Sequence, residues 1–395
     1  MNKLVITRWR KRLLTALFSD KELLELSLED ETSILGNIYI GRVQKIVKNL
    51  NSAFVDFAEN QTGYYSLTDN PVPIHPHGSL RSLREGDEIV VQVAKDAVKT
   101  KDPVLTSNLN FTGIYGVLTA GKHVIGFSSK IHDKEWKDRV RPVLEQLLHG
   151  QAGIIVRTNA YGQEQLLFQE VTELMEDYQT VLKNSQFRTC RTLLYQAEPE
   201  YCRRLKGLPK DSLEEVVTDD QEAFDNLTRY LQRCQPGALD RLRFYQDSLL
   251  PLWKLYGLET SMERACQKHV WLKSGGYLVI EPTEAMTVID VNTGKYSGKK
   301  NLADTIRLIN LEAAAEICRQ IRLRNLSGII MIDFIDMESA EDKSLLMDTL
   351  RACALQDSVK TTVVDMTQLN LVEMTRKKEK RPLQEQLANI GNHNE

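Results

Sequence analysis

Between residues 34 and 109 hydrophobic and polar positions alternate in short runs. ILGNIYIGRVQKI (34–46), SAFVDFA (52–58), TGYYSL (62–67), GDEIVVQVAKD (86–96) and DPVLTSNL (102–109) are rich in Val, Ile, Tyr and Phe, with Gly- or Asn-bearing breaks between them. That pattern predicts a small all-β barrel over 34–115. PVPIHPHG (71–78) reads as a loop, because proline cannot donate to a central ladder. The first 33 residues read as a hairpin or short strands. Past the barrel the pattern mixes. HVIGFSS (123–129) and AGIIVRT (152–158) predict strands, and DKEWKDRVRPVLEQLLHG (133–150) predicts a helix disturbed at Pro142. Residues 164–186 and 210–265, rich in Glu, Leu, Gln and Arg, read as largely helical. The polar tail from Arg376 is expected to fray.

The strongest pattern lies in 270–340. SGGYLVIEP (274–282) predicts a strand opened by a glycine pair, and TEAMTVIDVNTG (283–294) a second strand ending in polar residues. Leu302, Ile306, Ile309, Ala313, Ile317 and Ile321 recur every three or four positions, which predicts a long helix over 301–325. SGIIMIDFIDM (327–337) is a third, nearly continuous apolar strand.

The chain has 395 residues, 42% hydrophobic and 27% charged, with 51 Lys+Arg against 54 Asp+Glu. This length predicts several domains, and the charge excludes a membrane-embedded chain. A net charge of −3 means that any nucleic-acid surface must come from local clustering. Leu13–Phe18 is too short and too polar for a signal segment, and no run approaches the length of a membrane span. The six cysteines form no CxxC pair, so they read as reduced thiols in a cytoplasmic protein.

Asp290 and Asp333 each follow an apolar run near the end of a strand, with the long helix between them. Strand–helix–strand connections make parallel strands in one sheet, so both carboxylates should emerge at one sheet edge, where ligands bind. Asn292, two residues on, faces the same side. Two carboxylates and a carboxamide form a hard oxygen site suited to Mg²⁺ or Mn²⁺ rather than zinc, and to phosphodiester hydrolysis. Asp336 and Glu338 are alternative ligands to Asp333. The bland alternative is that each aspartate is only a turn former or helix cap. GKYSGKK (294–300) is not a nucleotide-binding loop, because its glycine spacing is one residue short. Lys295, Lys299 and Lys300 read either as phosphate contacts or as a solvated loop.

In the barrel, Phe54 and Tyr64 are aromatic, and Lys45, Lys48, Lys95, Lys99 and Lys101 supply local positive charge. Aromatic faces stack bases and lysines follow the backbone, so the barrel suits single-stranded nucleic acid. An apolar aromatic favours the core for Phe54, whereas the hydroxyl of Tyr64 favours the surface. Arg157 and Thr158, at the end of AGIIVRT, could grip a phosphate.

The stretches GNIYIGRV, SAFVDF, GIIVRT, SGGYLVIEPTEAMTVIDVNTG, NLEAAAEICRQIRLRNLSGIIMIDFIDM and LVEMTRKK together resemble the bacterial ribonuclease E/G endoribonucleases. The likeness runs over roughly 34–378 and is most specific over 274–337. It implies an α+β multidomain fold. Residues 1–33 and 203–265 would form an RNase-H-like subdomain, 34–115 an S1-type OB-fold, 116–202 a 5′-sensor region, and 266–378 a DNase-I-like α/β catalytic subdomain. Residues 379–395 would be a polar tail. By the same resemblance Asp290 and Asp333 bind Mg²⁺, and Asn292 orients the scissile phosphate or water. Arg157 and Thr158 would hold a 5′-monophosphate, and Phe54, Tyr64 and Lys101 the single strand. The resemblance thus implies a cytoplasmic Mg²⁺-dependent endoribonuclease on single-stranded RNA, with no obligatory membrane. Two departures matter. The CPxC motif that links subunits through zinc is missing after LVEMTRKK, so no zinc is expected and any homodimer would rest on other contacts. Tyr64 stands where a Phe is expected. The chain resembles the shorter, ribonuclease-G-like form without degradosome docking segments. The competing reading is a non-catalytic RNA-binding protein, and a weaker one a metal-dependent DNase or other phosphodiesterase.

Overall fold

A computed structural model describes residues 1–29, 33–78, 82–97, 101–208, 212–294 and 302–391. Lys99, Lys295, Lys299 and Lys300 lie outside the described residues. The chain forms two compact units, Met1–Glu31 with Asp211–Glu395, and Thr32–Lys210.

The chain opens with an antiparallel meander, β1 (Asn2–Trp9), β2 (Arg12–Ser19) and β3 (Glu22–Leu28). Each of its two-residue turns has positive φ at both positions, 45° and 65° at Arg10–Lys11 and 47° and 72° at Asp20–Lys21. Such turns match the twist of the strands that they join.

The second unit begins with the barrel. Its strands are β4 (Ile38–Val47), β5 (Ser52–Ala58), β6 (Gln61–Ser66), β7 (Glu88–Lys95) and β8 (Val104–Thr106). Their order is β4-β5-β6-β8-β7, and pairing of β4 with β7 closes it. Ala53, Val55, Phe57 and Tyr65 point inward and are fully buried. Gly41 is required on β4, because a Cβ there would collide with Val55. A four-stranded sheet follows, with β9 (Asn110–Thr112), β10 (Gly116–Thr119), β11 (Ile125–Phe127) and, after α1 (Lys134–Leu148), β12 (Gly153–Val156). Its order is β11-β12-β10-β9. Asp133 caps α1 by accepting from Trp136 N at 2.9 Å. The helix runs unbroken through Pro142, against the expectation of a disturbance. Pro142 and Asp138, whose carbonyl loses its partner, are both on the exposed side of the helix, where such a loss is tolerated. α2 (Glu164–Ser185), β13 (Leu193–Tyr195) beside β4, and α3 (Glu200–Gly207) complete the unit.

The chain then returns to the first unit. Residues 212–265 are not simply helical: β14 (Leu213–Thr218) and β15 (Leu242–Phe244) flank α4 (Gln221–Cys234), and α5 (Leu252–Leu255) and α6 (Leu258–Ala265) follow. β14 pairs parallel with β1 and β15 parallel with β14, giving the order β15-β14-β1-β2-β3. The last sheet holds β16 (His269–Trp271), β17 (Tyr277–Pro282), β18 (Met286–Asn292), β19 (Gly328–Asp333), β20 (Thr361–Met366) and β21 (Leu371–Arg376). Their order is β16-β17-β18-β19-β21-β20. α7 (Leu302–Leu323) joins β18 to β19, and α8 (Ala340–Ala354) joins β19 to β20.

One face of this last sheet is packed and the other open. Leu278, Ile280, Ile289, Ile330, Ile332 and Val372 pack with Ile309, Ala313 and Ile317 of α7 and Leu346 and Leu350 of α8. The alternate positions Val288, Asp290, Asn292, Ile329 and Asp333 are half-buried or exposed. Over its described residues, 376–391, the tail does not fray as expected. Arg376 is buried and paired with Asp357 at 2.7 Å, and α9 (Leu383–Gly391) seats Leu383 in the core around β3.

Candidate active site

Asp290 and Asp333 are Cα partners across the parallel pair β18–β19. Directly opposed residues share a sheet face, with strands about 4.8 Å apart, so the two carboxylates stand side by side. Both strands end within two residues, so the pair sits at the carboxyl edge. Asn292 donates from Nδ2 to Asp290 Oδ2 at 2.7 Å. Burial, then the negative charges of Asp290 and Asp336, push the Asp333 carboxyl above its ordinary range. Asp336 is turned toward the β20–β21 turn, where Asn370 Nδ2 donates to it at 3.0 Å. Glu338 is exposed. Among the described residues no group of three or more His, Cys, Asp or Glu gathers as a metal cluster. The donor set is therefore two carboxylates and a carboxamide. It leaves room for waters and a substrate oxygen, which fits a hexacoordinate Mg²⁺ or Mn²⁺.

Two residues with no role assigned from sequence fix the loops around this pair, and both lie on α7. Asn310 is fully buried, and its side chain donates to Ile335 O at 2.8 Å and accepts from Ile335 N at 3.2 Å. That clamp holds the chain just past Asp333. Glu312 accepts from Lys273 N at 2.7 Å and Ser274 N at 3.1 Å, which fixes the turn before β17. The glycines there are steric necessities. A Cβ on Gly276 would lie 2.8 Å from Asn292 O, and one on Gly294 would strike Gly275 O. Asn310 and Glu312 were visible in NLEAAAE as polar residues in an apolar helical stripe.

The phosphate-gripping candidates lie in the other unit, consecutive in the chain at the end of β12. Thr158 and Ser128 share a hydroxyl hydrogen bond at 2.9 Å, and Arg157 Nη1 donates to Gly113 O at 2.8 Å. Ser128 was not anticipated. The turn that carries Gly113 is tied by Glu170, which accepts from Ile114, Tyr115 and Gly116 N–H at 2.6–2.9 Å. A side chain at Gly113 would collide with Glu170. Burial pushes the Glu170 carboxyl up, against these bonds and the nearby Lys206.

In the barrel, Phe54 is half-buried on the outer face, not in the core as its apolar ring suggested. Its neighbours Ala53 and Val55 take the inward positions. Phe54 faces Tyr64 across β5–β6, with ring centroids 6.3 Å apart and 78° between planes. The row extends to Lys45 on one side and through Val104 to Lys95 on the other. Two aromatic rings are thus flanked by two exposed lysines in one row. Lys48 and Lys101 are also exposed.

The Ribonuclease E/G family profile matches residues 110–379. Ribonuclease G of Salmonella typhimurium is 33% identical over 92% of this chain and 77% of its own length. Ribonuclease G of Haemophilus influenzae is 34% identical over 90% of this chain and 74% of its own length. Ribonuclease E of a Nostoc species is 29% identical over 93% of this chain and 54% of its own length.

Proposed function

The chain belongs to the ribonuclease E/G family and is an endoribonuclease, and from that premise we propose that it hydrolyses single-stranded RNA in the cytoplasm at Asp290, Asn292 and Asp333 with Mg²⁺ or Mn²⁺ as cofactor. The readings as a non-catalytic RNA binder or a DNase give way to that membership. The observation that carries the site is the register that sets Asp290 opposite Asp333. Asp290 and Asp333 would hold the cation. When bound there, it offsets charge on a phosphodiester and lowers the pKa of water. Asn292 spends one N–H on Asp290 and keeps its carbonyl and second N–H to orient the scissile phosphate or the water. Asn310 and Glu312 position the loops on either side. Cleavage would leave 5′-phosphate and 3′-hydroxyl ends.

A 5′-monophosphate on the RNA would stimulate cleavage. Arg157, Thr158 and Ser128 offer a guanidinium and two hydroxyls for it. The Lys45–Phe54–Tyr64–Lys95 row, with Lys101, would hold the single strand by stacking and charge. The strand order β3-β2-β1-β14-β15 supports an RNase-H-like subdomain. The closed barrel supports an S1-type OB-fold, and β16–β21 with α7 and α8 a DNase-I-like catalytic subdomain. Among the described residues no helix is long and apolar enough to cross a membrane.

The test is cleavage of a 3′-labelled, 5′-monophosphorylated AU-rich RNA in Mg²⁺ and in EDTA. Cleavage should require the metal and disappear in Asp290→Ala and Asp333→Ala with RNA binding retained. Near wild-type turnover in either variant would overturn the site. Arg157→Ala should erase the preference for 5′-monophosphate over 5′-hydroxyl RNA; an unchanged ratio rules out the sensor.

A further inference from the structure

Three aromatic side chains stand on the open sheet face beside the carboxylates, and none has a role in the chemistry above. Trp271 on β16 lies opposite Tyr277 on β17, and Tyr277 lies opposite Asn292 on β18. His269 lies opposite Val279, which in turn faces Asp290. The Trp271 and Tyr277 centroids are 5.2 Å apart at 52°, and those of His269 and Tyr277 5.9 Å apart at 46°. Trp271 is 70% exposed, whereas Trp9 and Trp136 are buried and Trp253 is partly buried in the core around β3. β16 is the edge strand, so the outer face of the indole is open to solvent. Leaving an indole in water forfeits the favourable burial that aromatic rings normally provide. On the same face Glu281, opposite Val288, pairs with Lys268 at 2.6 Å, so its charge is offset beside the aromatic ledge.

We infer that Trp271, braced by Tyr277, is a stacking platform for the base of a nucleotide next to the scissile phosphate, on the Asn292 side. The inference rests on the cleavage site proposed above. Trp271 stands two strands from Asn292, about 10 Å, within reach of a neighbouring nucleotide of a strand whose phosphate lies at Asp290 and Asp333. Sequence-tolerant stacking suits every base, because every base has a π face.

Two readouts test it on the full chain. In EDTA, a short single-stranded RNA should quench the exposed-tryptophan emission of the wild type, and Trp271→Ala should lose that quench. In Mg²⁺, Trp271→Ala should raise KM about 5- to 150-fold, the range for one stacked base, with kcat little changed. Trp271→Phe should recover most of the loss. An RNA abasic at the neighbouring nucleotide should bring the wild type to the level of Trp271→Ala and cost that variant nothing more. Equal abasic penalties in both proteins, or an unchanged KM in Trp271→Ala, would overturn the platform. Emission that responds to protein concentration but not to RNA would overturn it in favour of a second copy covering the ledge. A wild type that shows the RNA-dependent, base-dependent quench but never cleaves would leave the platform standing and remove the cleavage site instead.

Discussion

Replacing Asp333 by Asn should make the metal-free protein more stable while abolishing cleavage. The two carboxylates sit on opposed positions of adjacent strands. At about 5 Å, like unit charges repel by about 1–3 kcal/mol for an effective dielectric between 80 and 20. Asp333 is exposed, which places the cost at the lower end, about 1 kcal/mol. No described residue donates a hydrogen bond to Asp333, so an isosteric amide forfeits none. For a unit of this length, 1 kcal/mol moves Tm by about 2–4 °C. The sign against pH follows from the raised Asp333 pKa, caused by partial desolvation of the carboxylate and then by Asp290 and Asp336. The fold disfavours the charged form. The penalty is therefore full above that raised value and relieved as pH falls through it. The gain of the variant should be complete at neutral pH, fade in acid and shrink with added salt. Divalent cation should reverse the ranking. The wild type gains about 1.4 kcal/mol at a metal concentration ten times Kd, and the variant far less. Calorimetry in EDTA and in Mg²⁺ measures both terms. A variant that melts at or below the wild type in EDTA, or equal stabilisation of both proteins by Mg²⁺, would refute the paired-carboxylate reading.

Asn310→Ala should cost about 2 kcal/mol by stranding the Ile335 N–H and C=O, and should lower kcat more than KM, measured by steady-state cleavage. Arg376→Met should cost about 3–5 kcal/mol in denaturant unfolding, because it leaves the buried Asp357 carboxylate uncompensated. Arg376→Met/Asp357→Leu should recover much of it. Burial raises the Asp357 pKa, but the bonds and charge of Arg376 outweigh it and hold the carboxyl below its ordinary range. The pair therefore stabilises above the ordinary carboxylate range, and its contribution is lost as pH falls through the lowered value; the deficit of Arg376→Met should shrink in acid. Phe54→Ala and Tyr64→Ala should each weaken binding of single-stranded RNA by about 1–3 kcal/mol in gel shifts; unchanged affinity would return both rings to a packing role.

The carboxylate pair was legible because each aspartate ends an apolar run, and a helix between two such runs makes them parallel neighbours. Exact opposition was not legible, since register is set by three-dimensional packing. β14 escaped because LEEVVT is short and carries two acids. Lys3 and Arg243 pair with Glu215 at 2.7 Å in the folded sheet and make it tolerable there. The tail helix escaped because Leu383 and Leu387, one turn apart, are its main apolar anchors in a charged stretch. Composition alone favoured the core for Phe54, because hydrophobicity says nothing about which face of a strand a residue occupies. Its neighbours Ala53, Val55 and Phe57 fill the inward positions and leave it outside. Asn310 and Glu312 drew no reading from sequence, because their partners Ile335, Lys273 and Ser274 lie in loops far away along the chain.

The parallel pairing of β1 with β14 has a consequence for how the protein is made. Asn2 and Ser212 touch across 210 positions of chain. At about 5–20 residues per second, β1 waits roughly 10–40 s on the ribosome for its neighbour. During that interval the β1–β3 meander exists with one edge unpaired, and Leu4, Val5 and Ile6, wholly enclosed in the finished fold, lack their cover. An apolar open edge is a template for pairing with other chains. The barrel unit needs no such delay, since all its sheets close within 33–208. Slower synthesis across that stretch should therefore lower the yield of soluble protein and leave the specific activity of each finished molecule unchanged.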